Sequence, residues 1–440
     1  MMWKSLLQIC LFAVILHQNF ALRPPRWHLN FSQPTLKMFM GTVEEVPLII
    51  TGLETVSGGY SLHLRSENPD IVIVNKVITS AEVDHSKGTW TGQFNVSAEF
   101  IGQTNIFAEI IRPDNESERS TDSLPVIITR KMRVIDHMFT GSVALLVSLL
   151  YINFGAALEL DVLRSILMRP IGPAIGFFGQ FLVMPLISYA LGICLFPDMV
   201  EMQLGLFFTG VSPGGGASNI WTVVLKGNMN LSIVMTTIST FAAFGMMPFW
   251  IFTLGRVIFS RGNLGVPYES IAMFAFALII PLCIGVLIQR FLPRTTKFLV
   301  RILKPIAVIL ILFIIVFAIV TNLYIFQLFS WRIILAGLGL PFFGYTLSWC
   351  IAKLLKQNRA DALAISIETG IQNTGISIFL LRFTLAQPQA DLTQVVPVAV
   401  ALMTPLPLLI VFICQRIWKP RDRDSLAGTT ESIMRNNSDH

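Results

Sequence analysis

The sequence predicts an all-α polytopic membrane protein with about nine transmembrane helices, preceded by a small β-rich extracellular domain. Hydrophobic residues make up 53% of the 440 residues and charged residues only 13%, about half the charged share of a globular protein. From residue 138 onward, long uncharged segments follow one another, whereas residues 22–134 alternate short apolar and polar runs. These observations together predict a chain that crosses a bilayer many times after a folded polar domain.

Residues 1–21 have the features of a secretory signal peptide. Lys4 precedes an apolar core from about Leu6 to Leu16, and that core is too short to span a bilayer. Cleavage after Ala21 fits the small-residue rule, whereas Asn19 does not fit it two positions earlier. A retained N-terminal anchor is therefore the open alternative.

Residues 22–134 are predicted to form a glycosylated, β-sandwich-like domain. β-branched residues alternate with polar ones in DIVIVNKVITS (70–80) and GQFNVSAEFIGQTNIFAEII (92–111). Several short strands separated by turn residues are typical of an all-β sandwich. Sequons at Asn30, Asn95 and Asn115 predict N-glycosylation on the lumenal or extracellular side.

Residues 135–418 are predicted to form the membrane domain, followed by a polar cytoplasmic tail at 419–440. Each of nine apolar windows is long enough to cross a bilayer. The windows are 138–158, 171–196, 202–225, 227–255, 270–289, 305–331, 333–352, 362–381 and 392–415. Most Lys and Arg residues between them, such as those at 290–304, fall in loops that are cytoplasmic if the N-terminus is outside. The positive-inside rule therefore places the C-terminus in the cytoplasm.

Several function classes are disfavoured. The net charge of +6 does not indicate nucleic-acid binding, because Lys and Arg residues lie between apolar runs and form no continuous patch. The sequence has no nucleophile–base arrangement, CxxC pair or phosphate-binding loop that would predict an enzyme. A transporter, a receptor and a non-transporting scaffold remain as alternatives.

Glu368 is the only charged residue in the eighth window. A carboxylate at bilayer depth costs about 3 kcal/mol on insertion scales, so it indicates a functional site by default. One carboxylate among neutral oxygens suits a monovalent cation better than a divalent one. Arg382 and Glu159, by contrast, lie near window ends and are expected to extend toward the membrane interface.

Two windows are predicted to be interrupted helices. Pro213 lacks a backbone donor and is followed by Gly214, Gly215 and Gly216, while Gly370 follows Glu368 closely. A proline-bearing window precedes each break and another follows it. This order predicts two inverted repeats, whose broken helices form a binding site near the membrane midplane.

At these residues the chain resembles the sodium/bile acid symporter family, over roughly Phe139 to Trp418. The matching motifs are GFFGQFLVMP (176–185), SPGGGASNIWTVVLKGNMNLSIVMTTIST (212–240), GMMP (245–248) and ETGIQNTG (368–375). The resemblance implies a core domain with two crossing discontinuous helices, a smaller panel domain and transport by alternating access.

The resemblance also implies two Na⁺ sites that share one carboxylate. The first consists of Ser218, Asn219, Ser232, Thr236 and Glu368. The second consists of Gln180, Glu368 and Gln372, with the carbonyls of Thr369 and Ile371. Asn373 and Gly216 are implied to face the substrate at the crossing.

Two features depart from the family's bile-acid carriers. Those carriers usually have CPGGTASN where this chain has Ser212 and Gly216, and they lack the N-terminal domain. The placement of that domain resembles the branch that includes the P3 protein.

We therefore expect a symporter that couples Na⁺ to an amphipathic organic anion, such as a bile acid or steroid conjugate, without a cofactor. Its expected location is the plasma membrane, with an internal membrane as the alternative. A receptor or scaffold with an extracellular ligand-binding domain is the alternative function, and a homodimer is one open assembly.

Overall fold

The computed structural model describes residues 27–56, 59–84, 86–114, 116–156, 170–262, 264–292, 296, 298, 301, 305 and 329–417. The chain divides between Lys131 and Met132 into two compact units. Several predictions lie outside the described residues: the signal peptide at 1–21, Asn115, Glu159, nearly all of the sixth window and the tail at 419–440.

The first unit is built from nine strands in two sheets. The strands are β1 (His28–Phe31), β2 (Leu36–Phe39), β3 (Val43–Thr51), β4 (Ser61–Ser66), β5 (Val72–Val74), β6 (Lys76–Thr79), β7 (Trp90–Ala98), β8 (Gly102–Ile111) and β9 (Ser117–Thr129). One sheet has the order β1-β3-β7-β5 and the other the order β2-β9-β8-β4-β6. The pairing of β2 with β9 is parallel, and the other described pairs are antiparallel.

The two sheets share one hydrophobic core. Alternate residues of each strand point inward, as period-two patterning requires. Ile50 and Val96 from the four-stranded sheet and Ile106 and Val126 from the five-stranded sheet are fully buried in the same cluster. The predicted β-rich N-terminal region is thus confirmed, and its two layers form a sandwich.

The outer faces of the sandwich differ in chemistry. Asn30 and Asn95 are exposed on strands that both pair with β3 in the four-stranded sheet. The five-stranded sheet instead carries ion pairs, including Arg65 with Glu109 at 3.3 Å and Arg112 with Glu118 at 2.7 Å.

The second unit is helical. Its helices are α1 (Val134–Ala156), α2 (Ile171–Leu195), α3 (Val200–Val211), α4 (Ala217–Val224), α5 (Met229–Arg261), α6 (Tyr268–Phe291), α7 (Trp331–Leu354), α8 (Arg359–Gly370), α9 (Thr374–Thr384) and α10 (Gln389–Ile417). Six of them, α1, α2, α5, α6, α7 and α10, are long and apolar enough to cross a membrane within the described part of the chain. The short helices form two consecutive pairs, α3 with α4 and α8 with α9, which correspond to the two windows predicted to be interrupted.

The helices α1 and α6 cross at a pair of glycines. A Cβ atom on Gly155 would lie 3.0 Å from the Cα of Gly285, and a Cβ on Gly285 would lie 2.9 Å from the Cα of Gly155. Small residues at such a crossing let two membrane helices pack backbone to backbone.

The expectation that Arg382 extends toward the membrane interface is wrong. Its side chain is only 5% exposed and forms an ion pair with Asp391, whose side chain is 1% exposed. The Nε of Arg382 also donates to the Thr140 hydroxyl of α1 at 3.1 Å. Burial of an arginine is tolerated here because a carboxylate and a hydroxyl within the protein replace the water.

Candidate functional site

The two interrupted helices meet at their breaks. The amide of Gly215 donates to the carbonyl of Ile371 at 2.7 Å, and the amide of Asn373 donates to the carbonyl of Pro213 at 2.9 Å. Gly214 and Gln372 form an antiparallel bridge between them. Backbone groups at helix ends lack partners within their own helix, and at membrane depth those groups must be satisfied by protein. Each break therefore supplies the partners that the other one needs.

Two glycines lie where the breaks approach each other, and a third packs against α7. A Cβ on Gly215 would lie 2.9 Å from the Gln372 carbonyl oxygen, one on Gly214 would collide with Oε1 of Glu368, and one on Gly370 would enter the ring of Tyr345. Gly216 differs, because a Cβ there has no atom within 4 Å. The crossing thus requires glycine at 215, while Gly214 leaves room for the Glu368 carboxylate and Gly370 leaves room for Tyr345 of α7. Position 216 has no such constraint.

If Glu368 is a Na⁺ ligand, as the resemblance implies, Gly214→Ala should weaken Na⁺ binding and Gly216→Ala should not. The methyl group at 214 would displace the free oxygen of Glu368, and we expect the loss of one ligand to raise the half-saturating Na⁺ concentration about tenfold or more. The measurement is the dependence of the thermal unfolding midpoint on NaCl at constant ionic strength. Equal Na⁺ dependence of the two variants would contradict the packing argument.

The carboxylate of Glu368 is the centre of a polar cluster. Glu368 is 3% exposed, and its Oε2 accepts hydrogen bonds from the hydroxyls of Ser218 at 2.6 Å and Ser232 at 3.2 Å. Its Oε1 accepts none from the described residues. A buried carboxylate oxygen without a donor is costly, and a cation is one partner that would offset that cost.

Asn219 and Thr236 extend the cluster on the same side. The amide nitrogen of Asn219 donates to the Thr236 hydroxyl at 3.4 Å, and the Asn219 Oδ1 has no hydrogen-bond partner among the described residues. Thr236 follows Ser232 by one helical turn on α5, so both hydroxyls lie on one face. The structure thus brings together all five residues predicted for the first Na⁺ site.

Gln180 and Gln372 form a second group next to the first. Gln180 lies in a π-helical turn of α2, Gly179–Val183, a distortion that often occurs at functional sites. Its Nε2 donates to Oε1 of Gln372 at 2.7 Å and to the Ser212 carbonyl at 2.6 Å. Its Oε1 has no partner among the described residues.

The two carbonyls predicted for the second site each accept one hydrogen bond. The Thr369 carbonyl accepts from the side chain of Gln372 at 2.7 Å, and the Ile371 carbonyl accepts from Gly215. A carbonyl has a second lone pair, so both remain available as ligands.

A small cavity lies beside the two groups, and Gln180, Ser239 and Glu368 are among the residues that line it. Of the buried oxygens without a donor among the described residues, those of Glu368 and Gln180 belong to residues that line this cavity, and that of Asn219 belongs to the first group. One carboxylate with several neutral oxygens is a set of ligands that fits a monovalent hard cation such as Na⁺.

Two hydroxyl residues of the cluster were not predicted. The Ser239 hydroxyl accepts from the amide of Gly214 at 3.3 Å and donates to the Thr236 carbonyl at 3.0 Å. The Thr222 hydroxyl donates to Ser232 at 3.3 Å. Ser239 follows Ser232 by seven residues, or two helical turns, so the helical periodicity that groups Ser232 with Thr236 also predicts Ser239 on the same face.

The two residues predicted to face the substrate begin the second half of each broken helix. Gly216 is the N-cap of α4 and is exposed. Asn373 is the half-buried N-cap of α9, where its side-chain oxygen accepts from the amide of Ile376 at 3.2 Å. Both positions are therefore at helix N-termini, where backbone donors point outward.

Comparison with known proteins identifies a common family. The model of the Sodium Bile acid symporter family matches residues 144–328, a range that includes the α2, α4 and α5 residues of the cluster and ends before Glu368. The chain is 34% identical over 262 residues to the human P3 protein (Homo sapiens), covering 59% of this chain and 54% of that protein.

Two transporters are similar at comparable identity. The sodium-dependent organic anion transporter of Bos taurus is 32% identical over 58% of this chain and 67% of its own length. The ileal sodium/bile acid cotransporter of Oryctolagus cuniculus is 30% identical over 60% of this chain and 74% of its own length. Against the P3 proteins, by contrast, the match spans only a little over half of their length.

Proposed function

The chain belongs to the sodium bile acid symporter family, and on that basis we propose that it is a Na⁺-coupled symporter of an amphipathic organic anion. The observation that carries the proposal is the Glu368 carboxylate, which is buried among hydroxyls and amides while one of its oxygens has no donor among the described residues. Such a group at membrane depth requires a cation or a proton to balance it.

We assign two Na⁺ ions to the cluster. Ser218, Asn219, Ser232 and Thr236 would hold the first with Glu368, and Gln180, Gln372 and the Thr369 and Ile371 carbonyls would hold the second with the same carboxylate. The C-terminal ends of α3 and α8 also lie at the crossing, and their carbonyl dipoles favour a positive charge there.

The opposite helix ends favour an anion. α4 and α9 begin at Gly216 and Asn373, and the N-terminus of a helix attracts negative charge. One and two turns further along α9, Ile376 and Leu380 line an apolar cleft together with Tyr151 and Phe244. A ligand with its acidic group at these helix N-termini and its apolar part toward the cleft would be an amphipathic organic anion.

The proposed transport cycle follows from this arrangement. Nine spans in two inverted repeats would form a core domain around the crossing and a panel that includes α1 and α6. Bound Na⁺ would neutralise Glu368 and allow the anion to bind beside it, and movement of the panel against the core would expose the site to each side of the membrane in turn.

An uptake screen tests the proposal. Cells that express the chain should accumulate at least one sulfated or conjugated steroid when NaCl is present, and not when choline chloride replaces it. Na⁺-independent uptake would contradict the coupling. Ligand-dependent signalling without any flux would instead support the receptor alternative.

The proposed topology predicts glycans on one face of the sandwich. If the N-terminal domain is extracellular, Asn30 and Asn95 should both carry N-linked glycans, since both are exposed on the four-stranded sheet. Asn30→Gln and Asn95→Gln should each remove one glycan, seen as one step in electrophoretic mobility, and peptide N-glycosidase F should abolish the difference. If neither Asn30 nor Asn95 carried a glycan, the extracellular orientation of the N-terminal domain would be contradicted.

A further inference from the structure

Two corners of the helical unit share a sequence pattern and a geometry. Residues 225–228 read LKGN and residues 355–358 read LKQN. In each corner a lysine with a left-handed backbone lies two residues after the last residue of a helix, Lys226 with φ 62° after α4 and Lys356 with φ 57° after α7. An asparagine, Asn228 or Asn358, then caps the next helix. This is an efficient way to stop one helix and start another within four residues.

Asp361 joins the two corners. Its Oδ1 accepts from the side-chain amide of Asn228 at 2.7 Å, and its Oδ2 accepts from that of Asn358 at 2.6 Å. The backbone amide of Asn228 also donates to the carbonyl of Ala360 at 3.0 Å. Asn358 caps the helix that contains Asp361, whereas Asn228 caps α5, so of the two side-chain bonds to Asp361 only the one from Asn228 joins α5 to α8.

The joined corners lie one to two helical turns before the residues of the proposed first Na⁺ site, along both α5 and α8. Ser232 is one turn after Asn228 on α5, and Glu368 is two turns after Asp361 on α8. Helices are stiff over such distances, about 6 Å and 10 Å at 1.5 Å per residue. The relative position of the helix starts therefore determines how far the Ser232 hydroxyl lies from the Glu368 carboxylate, which is 3.2 Å in this structure.

We propose that Asn228 and Asp361 are positioning residues for the first Na⁺ site. Their amide–carboxylate bond sets the offset of α5 against α8 and so brings Ser232 to Glu368 at a distance at which both can contact one ion. This inference rests on the proposed Na⁺ coupling. It adds two residues that would not touch the ion but would tune its affinity.

The two corners supply a matched pair of variants. Asn228→Ser and Asn358→Ser each keep a capping hydroxyl and each remove one hydrogen bond to Asp361, but only the first removes a side-chain bond between α5 and α8. The backbone bond from Asn228 to Ala360 is kept in both variants. The probe is NaCl, titrated against the thermal unfolding midpoint of the purified full-length protein, with choline chloride keeping the ionic strength constant.

We expect Asn228→Ser to raise the half-saturating Na⁺ concentration about threefold to tenfold, less than a direct neighbour of a ligand would. Asn358→Ser should leave it within about twofold of the wild type, whatever its effect on the midpoint without Na⁺. The exchanged pair Asn228→Asp with Asp361→Asn re-forms the bond with the groups reversed and should restore wild-type Na⁺ dependence. That double variant also decides the matter if Asn228→Ser does not fold.

Equal shifts in both serine variants, no shift in Asn228→Ser, or a double variant without restored Na⁺ dependence would each overturn the positioning role. These results would leave the proposed symport intact, because the wild type would still respond to Na⁺. A wild type that shows no response to Na⁺ would overturn the symport and the positioning role together.

Discussion

Glu368→Gln is expected to abolish the stabilisation of the protein by Na⁺. The substitution keeps the size of the side chain but removes its charge and replaces one oxygen with a donor, in a cluster where the hydroxyls of Ser218 and Ser232 already donate to Glu368. We expect the Na⁺ affinity to fall at least about 100-fold, which corresponds to roughly 2.7 kcal/mol. Because a ligand that binds the folded state raises the unfolding midpoint, the NaCl titration of the variant should be flat.

The same titration separates the two proposed ions. Gln372→Ala removes a neutral group of the second site alone, so it should weaken one part of the Na⁺ response and leave the other. Thr237→Val is the control for the loss of a polar group near the cluster. The Thr237 hydroxyl donates to the Ile233 carbonyl of its own helix at 2.9 Å, so this variant should keep the wild-type Na⁺ response. If Glu368→Gln and Gln372→Ala had identical Na⁺ dependence, the carboxylate would not be shared between two ions.

Asp391→Asn is expected to destabilise the helical unit strongly at all Na⁺ concentrations. It would leave the buried Arg382 without its counter-charge, and breaking a buried ion pair from one side typically costs about 3–5 kcal/mol. The measurement is the folded fraction and the thermal unfolding midpoint after extraction in detergent.

Removing both charges should recover much of that loss. The double variant Arg382→Gln with Asp391→Asn leaves no uncompensated charge, and replacement of a whole buried pair is often nearly neutral. Thr140→Val is a milder control, since it removes one hydrogen bond to Arg382 and should cost about 1 kcal/mol. An Asp391→Asn protein as stable as the wild type would show that the pair does not hold α9 in place.

The coarse fold and the family could be predicted from the sequence because they depend on local patterns. Period-two alternation predicted the β-rich region, and uncharged windows predicted the helical one. Pro213 and the glycines after it predicted an interruption between two helices, and α3 ends at Val211 while α4 begins at Ala217.

Features that depend on distant partners could not be predicted in this way. Arg382 was assigned to the interface because its partner Asp391 comes after a loop and outside any apolar window. The bond between Asn228 and Asp361 joins residues 133 positions apart, and no periodicity connects them. Whether a polar residue in an apolar helix is satisfied depends on which other helix it meets, and that is decided by packing.

The crossing has a consequence for how the protein is made. The contact between Ser218 and Glu368 joins residues 150 positions apart, and that between Gln180 and Gln372 joins residues 192 apart. At about 5–20 residues per second, a ribosome needs roughly 8 to 30 seconds to add the 150 residues between the two broken helices. During that interval the first broken helix has unpaired backbone groups and no carboxylate opposite its hydroxyls, so we expect chains truncated before Glu368 to be degraded faster than full-length chains in a pulse-chase experiment. The proposed ion site would thus be completed late in synthesis, only after Glu368 has emerged from the ribosome.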